Sequence, residues 1–425
     1  MPLAAAFREF GVNRLEAERI MRVEQALSEL RAGRFIIIVD DADRENEGDF
    51  AIAAEFVTPE AINFLECHAR GLVVAPMMGE TLDRLDIPLM VQRSTERHGT
   101  AFTVSVDARD GTTTGISAAD RAQTVRVLMN PESKPDDLLR PGHTFPLRAD
   151  PAGVLRRVGQ TEAIIDLTKL AGLRPGGVIC EIKKDDGSMA RRPDLDNIAS
   201  KMNIHIVQVA DIVHYRLLKE EWVEEIASAH LPTKFGHFKI VAFQTKDGSE
   251  EHIALVMGEV SPDDEVLVRV HSACLTGDTF GSMRCDCQAQ LHYAMKLVSD
   301  ESKGVIVYLN QEGRGIGLTN KIKAYALQDK GYDTEEANLK LGFPPDKREY
   351  GVGAQILRRL GVRKIRLITN NPHKMVGLEG YELSIVGQVQ IPFEAVCNEH
   401  NRFYLETKER RMGHIIVHQG EVGGQ

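Results

Sequence analysis

Three cysteines lie close together in the segment CLTGDTFGSMRCDC, at Cys274, Cys285 and Cys287. Thiolates at this spacing can converge on one zinc ion. Three protein ligands would leave a coordination position open for water or substrate, which is the pattern of catalytic zinc sites. The alternative is a set of ordinary buried thiols, because free cysteine packs as a small hydrophobic residue. The clustering of half of the six cysteines in this segment favours zinc.

The residues around this cluster are those that a zinc hydrolase acting on a nucleotide would need. Arg269 lies at the end of an apolar run in RVHSAC, and Gln290 lies at the start of a predicted helix. The segment QEGRGIGLTNKI adds Glu312, Arg314 and Lys321 but lacks Walker A spacing, and a simple turn is the alternative for it. Two later segments, DKREY and TNNPHK, add charged side chains, for which ordinary surface charge is the alternative.

The first half of the chain carries an acidic loop, DDADRENEGD, after the apolar strand FIIIV. Crowded carboxylates repel one another unless a cation offsets them. This loop is not an EF-hand, because the sixth position counted from Asp41 is Asn46 rather than glycine. A solvated acidic turn is the simplest interpretation of the segment alone. The alternative is a magnesium site, since hard cations take oxygen ligands.

Other segments of the first half offer phosphate-binding and acid–base groups. In GTTTGISAADR, Ser117 can cap a helix with Asp120 at its third position, and the preceding backbone amides could face a phosphate. The segment RPGHTFPLRA places His143 in a Pro-Gly loop, where a general base is more plausible than a core imidazole. The segments RRVGQTEA and VICEI add Arg157, Thr161 and Glu181.

The composition is that of a globular chain, with 43% hydrophobic and 27% charged residues. A formal charge of -10 argues against non-specific nucleic-acid binding. The N-terminal residues do not resemble a secretory signal, and no apolar run approaches the roughly 20 residues that span a bilayer. Cysteines without a paired framework suggest a reducing compartment. We therefore expect a cytoplasmic protein with no membrane partner.

Short β-rich runs alternate with helical periodicity along the chain. The predicted strands are Phe35–Val39, Gly71–Ala75, Phe102–Asp107, Ile204–Val209, Phe238–Phe243, Ile253–Met257, Val266–Val270, Gly304–Leu309 and Lys364–Thr369. The predicted helices are Leu15–Arg31, Ala118–Met129, Gln288–Asp300 and Val352–Leu360. A charged segment, RLLKEEWVEEIASAH, is also predicted to be helical, before Leu231-Pro232 and a new strand. The pattern predicts two mixed α/β (α+β) domains in tandem, residues 1–219 and 220–425.

The strings DRENEGD, FTVSVDA, TTGISAADR and PGHTFPLRA resemble 3,4-dihydroxy-2-butanone 4-phosphate synthase, from about Met21 to Tyr215. That family converts ribulose 5-phosphate to the four-carbon phosphate and formate, using magnesium. The resemblance implies that Glu45 binds magnesium and that His143 and Glu181 are catalytic. It further implies that the substrate is bound by Arg44, Glu45, Asp49, Arg157, Thr161 and Glu181.

The chain departs from this family at three positions. Where the family motif reads Arg-x-Gly-His-Thr-Glu, with the histidine as a second magnesium ligand, the chain has Gln160. The carbonyl oxygen of Gln160 can bind a hard cation, but the side chain is neutral and cannot exchange a proton. The family also usually has cysteine at Val74 and asparagine at Ser94. We therefore expect this half to keep the fold and to be a weak or inactive synthase.

The strings RVHS-x-CLTGD, F-x-S-x-RCDC, QEGRGIGL and KI-x-AYALQD-x-GYDT-x-EAN resemble GTP cyclohydrolase II, from about Leu231 to Val417. That family opens the imidazole ring of GTP and releases formate and pyrophosphate. Its product is 2,5-diamino-6-(5-phosphoribosylamino)pyrimidin-4-one. The resemblance implies zinc on the three cysteines and magnesium on the GTP phosphates. The residues implied to bind GTP are Arg269, Val270, His271, Ser272, Ala273, Gln290, Glu312, Gly313, Arg314, Thr334, Thr369 and Lys374.

The same resemblance implies that Asp346 is a proton acceptor and that Arg348 is the nucleophile toward the α-phosphate. A guanidinium is essentially always protonated, so an electrostatic clamp is the alternative role for Arg348. Ala273 stands where the family usually has glutamate.

Joined in this order, the two halves resemble the bifunctional enzymes of riboflavin biosynthesis. We therefore expect a homodimer that acts on the small molecules GTP and ribulose 5-phosphate and binds no nucleic acid. One alternative is a monofunctional GTP cyclohydrolase II with a non-catalytic N-terminal dimerisation or regulatory domain. A more distant alternative is a zinc-stabilised nucleotide-binding protein without turnover.

Overall fold

The computed structural model describes residues 14–40, 44–91, 99–332, 334–341, 351–371, 383–399 and 401. These residues divide into two compact units, one from Leu15 to Arg216 and one from Leu217 onward. Each unit contains one seven-stranded sheet with both parallel and antiparallel pairs, which confirms the predicted fold class. Among the described residues, no helix is long and apolar enough to cross a membrane.

The sheet of the first unit has the order β4-β5-β3-β6-β2-β1-β7. Its strands are β1 (Ile36–Val39), β2 (Gly48–Ala53), β3 (Val74–Met77), β4 (Val106–Ala108), β5 (Leu138–Arg148), β6 (Gly177–Glu181) and β7 (His205–Gln208). Its helices are α1 (Arg14–Arg31), α2 (Pro59–His68), α3 (Gly79–Arg84), α4 (Ala118–Met129), α5 (Gln160–Leu170), α6 (Arg192–Met202) and α7 (Val209–Lys219). Every residue of β1, β2 and β3 is buried, so the sheet forms the centre of this unit.

The register of the first sheet places polar side chains side by side. Strand β2 runs antiparallel to β6, and Asp49 lies opposite Glu181. Strand β4 runs antiparallel to β5, which brings Asp107 close to His143 although the two residues are far apart in sequence. These two pairs are the framework of the first candidate site.

The sheet of the second unit has the order β14-β13-β11-β12-β10-β9-β8. Its strands are β8 (Val223–Thr233), β9 (Gly236–Thr245), β10 (Glu251–Met257), β11 (Glu265–Ser272), β12 (Gly304–Leu309), β13 (Lys364–Ile368) and β14 (Ser384–Val389). Its helices are α8 (Cys287–Glu301), α9 (Leu318–Gln328), α10 (Thr334–Lys340), α11 (Gly351–Arg359) and α12 (Phe393–Val396). Strands β11, β12 and β13 are parallel, so their carboxyl ends meet at one edge of the sheet.

One predicted helix is wrong. The segment RLLKEEWVEEIASAH leaves helix α7 at Lys219, and from Val223 it is strand β8, paired with β9 along its whole length. Leu231-Pro232 lies inside this strand rather than before a new one. Pairing with β9 outweighs the helical preference of the glutamate and alanine residues, since propensity is readily overridden by tertiary contacts. Pro232 is tolerated because β8 is an edge strand.

Candidate active sites and metal centres

The three cysteines of the second unit converge at the carboxyl end of β11. Cys274 lies two residues after the end of that strand, and Cys287 begins helix α8. The ligand atoms of Cys274, Cys285 and Cys287 all lie within 4.8 Å of one another. In the described part of the chain, no other group of three histidine, cysteine or acidic side chains has this arrangement. The structure therefore confirms the convergence that the sequence predicts.

The geometry of this cluster fits zinc. The Sγ atoms of Cys274 and Cys285 are 3.8 Å apart, and a tetrahedral ion with Zn–S bonds of ~2.3 Å requires sulfur atoms about 3.8 Å apart. Hydrogen bonds with Cys285 and Cys287 lower the pKa of Cys274, while sharing that anion raises the pKa of Cys285 to about 11. A thiolate that accepts hydrogen bonds from two neighbouring thiols belongs to a sulfur donor set that a zinc ion can bind.

Gly277 leaves the space into which these sulfur atoms project. A Cβ atom at this position would lie 2.7 Å from the Sγ of Cys285 and 3.1 Å from the Sγ of Cys274. Both distances are shorter than van der Waals contact, so any side chain here would push the ligands apart. A glycine is required at this point by close approach and not by its backbone angle.

We expect Gly277→Ala to weaken zinc binding at least ~5-fold, because overpacking costs about 1–3 kcal/mol and the displaced atoms are the ligands themselves. Competition with a chromogenic chelator measures the affinity. Gly387→Ala is the matched control, since its Cβ would meet only Arg366, at an ordinary 3.7 Å. Equal zinc affinity in the two variants would show that the space at Gly277 is not needed.

A buried carboxylate supports the zinc loop from behind. Asp278 accepts hydrogen bonds from the backbone N–H of Cys274 at 3.0 Å and from the hydroxyl of Tyr308 at 2.8 Å. Its Oδ2 also lies 3.1 Å from Nε2 of His271. His271, a predicted GTP contact, is thus engaged with the loop. Asp278 belongs to the LTGD string, which could have pointed to it, whereas no local pattern in the sequence points to Tyr308.

Arg269 and Gln290 lie together, as the prediction of one nucleotide site requires. Arg269 donates to the side-chain oxygen of Gln290 and to the carbonyl of Ile368, the latter at 2.9 Å. Gln290 in turn donates to Asp286 at 2.5 Å. Thr369, which follows Ile368, is buried and accepts a hydrogen bond from the backbone of Asn371. Strands β11 and β13 and helix α8 therefore meet at these side chains.

For the other predicted GTP contacts, the structure shows which element carries each residue. Val270 is buried in β11, and Ser272 and Ala273 follow it into the zinc loop. Gly313 and Arg314 lie in the short 3₁₀ helix Glu312–Gly315, and Thr334 begins helix α10. Asp346, Arg348 and Lys374 lie outside the described residues, so their roles stay predictions.

The acidic loop of the first unit is organised around Arg44. The Asp40 carboxylate accepts hydrogen bonds from Arg44 at 3.0 Å and from the backbone of Glu45 and Glu47 at 3.0 and 2.8 Å. The Arg44 guanidinium also lies 2.9 Å from Oε1 of Glu45 and 3.0 Å from Oε1 of Gln160. The two predicted magnesium ligands, Glu45 and Gln160, are therefore brought to one place. Asp41 and Asp43 lie outside the described residues, as does Ser94.

The chemistry of this donor set also fits magnesium. Asp49 is buried, and among the described residues its Oδ1 has no hydrogen-bond partner. Burial, followed by the nearby charges of Glu181 and Glu45, holds the pKa of Asp49 well above its usual range. Glu181 accepts a hydrogen bond from the backbone of Leu72 at 2.8 Å. Oxygen donors in a cluster of excess negative charge are the ligands that a hard cation prefers.

His143 is held in one orientation by Asp107. The Nδ1 of His143 lies 2.8 Å from Oδ2 of Asp107, and its backbone N–H donates to Oδ1 at 2.9 Å. Its side chain is 45% exposed, so Nε2 can reach a bound molecule. Gly115, at φ +92°, passes close to both side chains. Asp120 fixes that turn by accepting from Thr113 and Gly115, bonds that lower the pKa of Asp120 to about 2.

The structure also shows the surroundings of three other residues of the first unit that the sequence singled out, Ser117, Arg157 and Thr161. The hydroxyl of Ser117 accepts from the backbone of Asp120 at 3.1 Å, which confirms the predicted helix cap. Arg157 pairs with Glu162 at 2.5 Å and donates to Thr100 at 2.8 Å, while Thr161 is buried at the start of α5.

Comparisons with known proteins agree with this division into two sites. Residues 24–215 match the family of 3,4-dihydroxy-2-butanone 4-phosphate synthase, and residues 224–390 match GTP cyclohydrolase II. The riboflavin biosynthesis protein RibBA of Aquifex aeolicus (strain VF5) is 56% identical over 93% of this chain and 97% of its own length. The chain belongs to the RibBA family.

Other RibBA relatives and one solved structure extend this result. The RibBA protein of Bacillus cytotoxicus is 53% identical over 93% of this chain and 99% of its own length. The crystal structure of RibBX from A. baumannii, a two-domain 3,4-dihydroxy-2-butanone 4-phosphate synthase, superimposes with a TM-score of 0.70 at 37% identity. It covers 87% of this chain and 98% of that one. As a RibBA protein, the chain combines two enzymes of riboflavin biosynthesis, 3,4-dihydroxy-2-butanone 4-phosphate synthase and GTP cyclohydrolase II, which confirms the expected enzyme class.

Proposed function

We propose that the second unit performs the cyclohydrolase reaction at the carboxyl edge of its sheet, and that the first performs the synthase reaction around Asp49, His143 and Glu181. We assign residues 1–219 to the synthase and 220–425 to the cyclohydrolase. The observation that carries the cyclohydrolase assignment is the convergence of the three cysteine sulfur atoms within 4.8 Å. A homodimer in the cytoplasm, where thiols stay reduced, is the assembly and location that we propose.

At the cyclohydrolase centre, Cys274, Cys285 and Cys287 would hold the zinc ion. When bound, zinc supplies a Lewis acid and an activated water for attack on the guanine ring. Gln290 is oriented by Arg269 and Asp286, and the second N–H of its amide can donate to the base. A site built to bond polar edges rejects bases that leave its groups unpaired. We propose that Arg314, Thr369 and Lys374 hold the phosphates, with Asp346 as proton acceptor and Arg348 as a clamp on the α-phosphate.

At the synthase centre, Glu45 and Gln160 would hold magnesium, which stabilises the charge of an enediolate when bound. His143, oriented through Nδ1 by Asp107, can move a proton at Nε2. Arg44 and Arg157 supply positive charge for a sugar phosphate. Because Gln160 is neutral and already accepts from Arg44, we propose that this half binds magnesium weakly and turns over slowly.

The test is formate release, measured separately with GTP and with ribulose 5-phosphate, using protein loaded with zinc and magnesium. We expect GTP to yield formate and pyrophosphate in equal amounts, and ribulose 5-phosphate to yield formate more slowly. Formate from GTP alone, even at high magnesium, would favour a non-catalytic first unit. No formate from GTP would contradict the central assignment, and unfolding on zinc removal would then indicate a structural zinc site.

A further inference from the structure

A buried lysine connects the zinc ligands to the glycine-rich segment. Lys321 lies in the first turn of helix α9, and its side chain is only 11% exposed. Its Nζ donates to the Sγ of Cys274 at 3.0 Å and to Oε1 of Glu312 at 2.7 Å. One ammonium group thus contacts both a predicted zinc ligand and a predicted GTP contact.

Both oxygens of the Glu312 carboxylate accept hydrogen bonds from the protein. Its Oε2 accepts from the backbone N–H of Leu275, the residue after Cys274, at 2.6 Å. Its Oε1 accepts from Gly313 at 2.9 Å in addition to Lys321. Glu312 therefore holds the cysteine loop on one side and the lysine on the other. A carboxylate with both oxygens bonded in this way is suited to fixing the loop rather than to reading a base.

Helix α9 presents a second side chain to the same loop. Tyr325 lies one turn after Lys321, and its hydroxyl is 3.2 Å from Oγ1 of Thr276. The Lys321 Nζ lies 5.8 Å from the centre of the Tyr325 ring, within the range of a cation–π contact. Two residues spaced one turn apart therefore dock this helix against the loop that carries Cys274.

The charges of this arrangement are complementary. Three thiolates around one Zn²⁺ leave an excess of one negative charge, which the adjacent ammonium offsets. The buried ammonium needs a partner of its own, and Glu312 supplies it. A hydrogen bond to a ligand sulfur also limits the charge that the sulfur donates to a metal, which is how outer partners tune metal sites.

We infer that Lys321 is a positioning residue that links Cys274 to Glu312, and that Glu312 orders the zinc loop instead of recognising guanine. Both residues act through the cysteine ligands. This assignment changes the role predicted for Glu312 and adds Lys321 to the cyclohydrolase centre.

The first experiment compares Lys321→Met with Lys323→Met in the full chain. Lys323 lies on the same helix, is exposed, and contacts only the side chain of Asn320 among the described residues. Zinc affinity by chelator competition should fall ~10- to 100-fold in Lys321→Met, the usual effect of removing an outer partner, and stay unchanged in Lys323→Met. In the cobalt-substituted protein, the thiolate-to-metal charge-transfer band should shift in Lys321→Met alone. Lys321→Arg, which keeps the charge, should restore part of the affinity.

The second experiment uses Glu312→Gln and its combination with Lys321→Met. We expect Glu312→Gln to weaken zinc binding. The loss of zinc-binding free energy in the double variant should be smaller than the sum of the two single losses, because both substitutions break the same link between Glu312, Lys321 and Cys274. The preference of Glu312→Gln for GTP over inosine 5′-triphosphate should match that of the unaltered protein, because Glu312 is not expected to contact the guanine base.

Two results would overturn the inference. One is zinc affinity within twofold of the unaltered protein and an unshifted cobalt spectrum in Lys321→Met. The other is lost discrimination against inosine 5′-triphosphate with normal zinc affinity in Glu312→Gln. If Lys321→Met does not fold, as judged by circular dichroism, Glu312→Gln and Lys321→Arg decide the question by the same measurements.

Discussion

Cys285→Ser is expected to lose its zinc and to release formate from GTP roughly 1000-fold more slowly than the unaltered protein. A catalytic metal supplies several kcal/mol of transition-state stabilisation, and each 1.36 kcal/mol is worth about tenfold in rate. A serine hydroxyl does not replace a thiolate as a ligand for zinc. Metal analysis of the purified variant and a formate assay with GTP test both parts of this prediction.

Two controls make the result specific. Cys67→Ser removes an exposed thiol from the first unit and should leave zinc content and GTP turnover unchanged. Formate release from ribulose 5-phosphate should be the same in both variants, because the synthase centre lies in the other unit. A Cys285→Ser protein that retains zinc and normal GTP turnover would disprove the assignment of the three-cysteine centre.

Gln160→His is expected to increase magnesium affinity and formate release from ribulose 5-phosphate, each by about tenfold or more. Gln160 is buried at the start of helix α5, and its Oε1 is occupied by the Arg44 guanidinium. An imidazole would offer a nitrogen ligand and a group that can exchange protons, and acid–base groups contribute roughly 100- to 10,000-fold where they act directly. Titration with Mn²⁺, followed by electron paramagnetic resonance, measures the affinity independently of turnover.

The matched control is Gln123→His, which introduces the same side chain into helix α4 of the same unit. It should change neither Mn²⁺ affinity nor turnover. If the unaltered protein and Gln160→His bind Mn²⁺ equally and turn over ribulose 5-phosphate at the same rate, Gln160 is a competent ligand and the proposed weakness of this half is wrong.

The sequence was most informative where the interacting residues are close together in the chain. The cysteine cluster and the Ser117 cap depend on such local spacing, and the structure confirms both. The contact of Lys321 with Cys274 could not be predicted in this way, because the two residues are 47 positions apart and meet only through the packing of helix α9.

The dependence on contacts between distant segments also explains two other features that the sequence did not predict. Asp107 meets His143 across 36 residues, through the pairing of β4 with β5. The segment before Pro232 has helical composition, yet strand β9 imposes an extended conformation on it. In both cases a partner strand decides the outcome, and no local pattern in the sequence identifies that partner.

The parallel strands at the centre of the second sheet have an evolutionary consequence. Cys274, Glu312 and Thr369 all follow the carboxyl ends of β11, β12 and β13, whereas the buried strand residues serve the core. Changes in the connecting loops can therefore alter chemistry or specificity while the folding of the sheet is preserved. Substitutions in these loops can therefore change the reaction at little cost to the stability of the sheet.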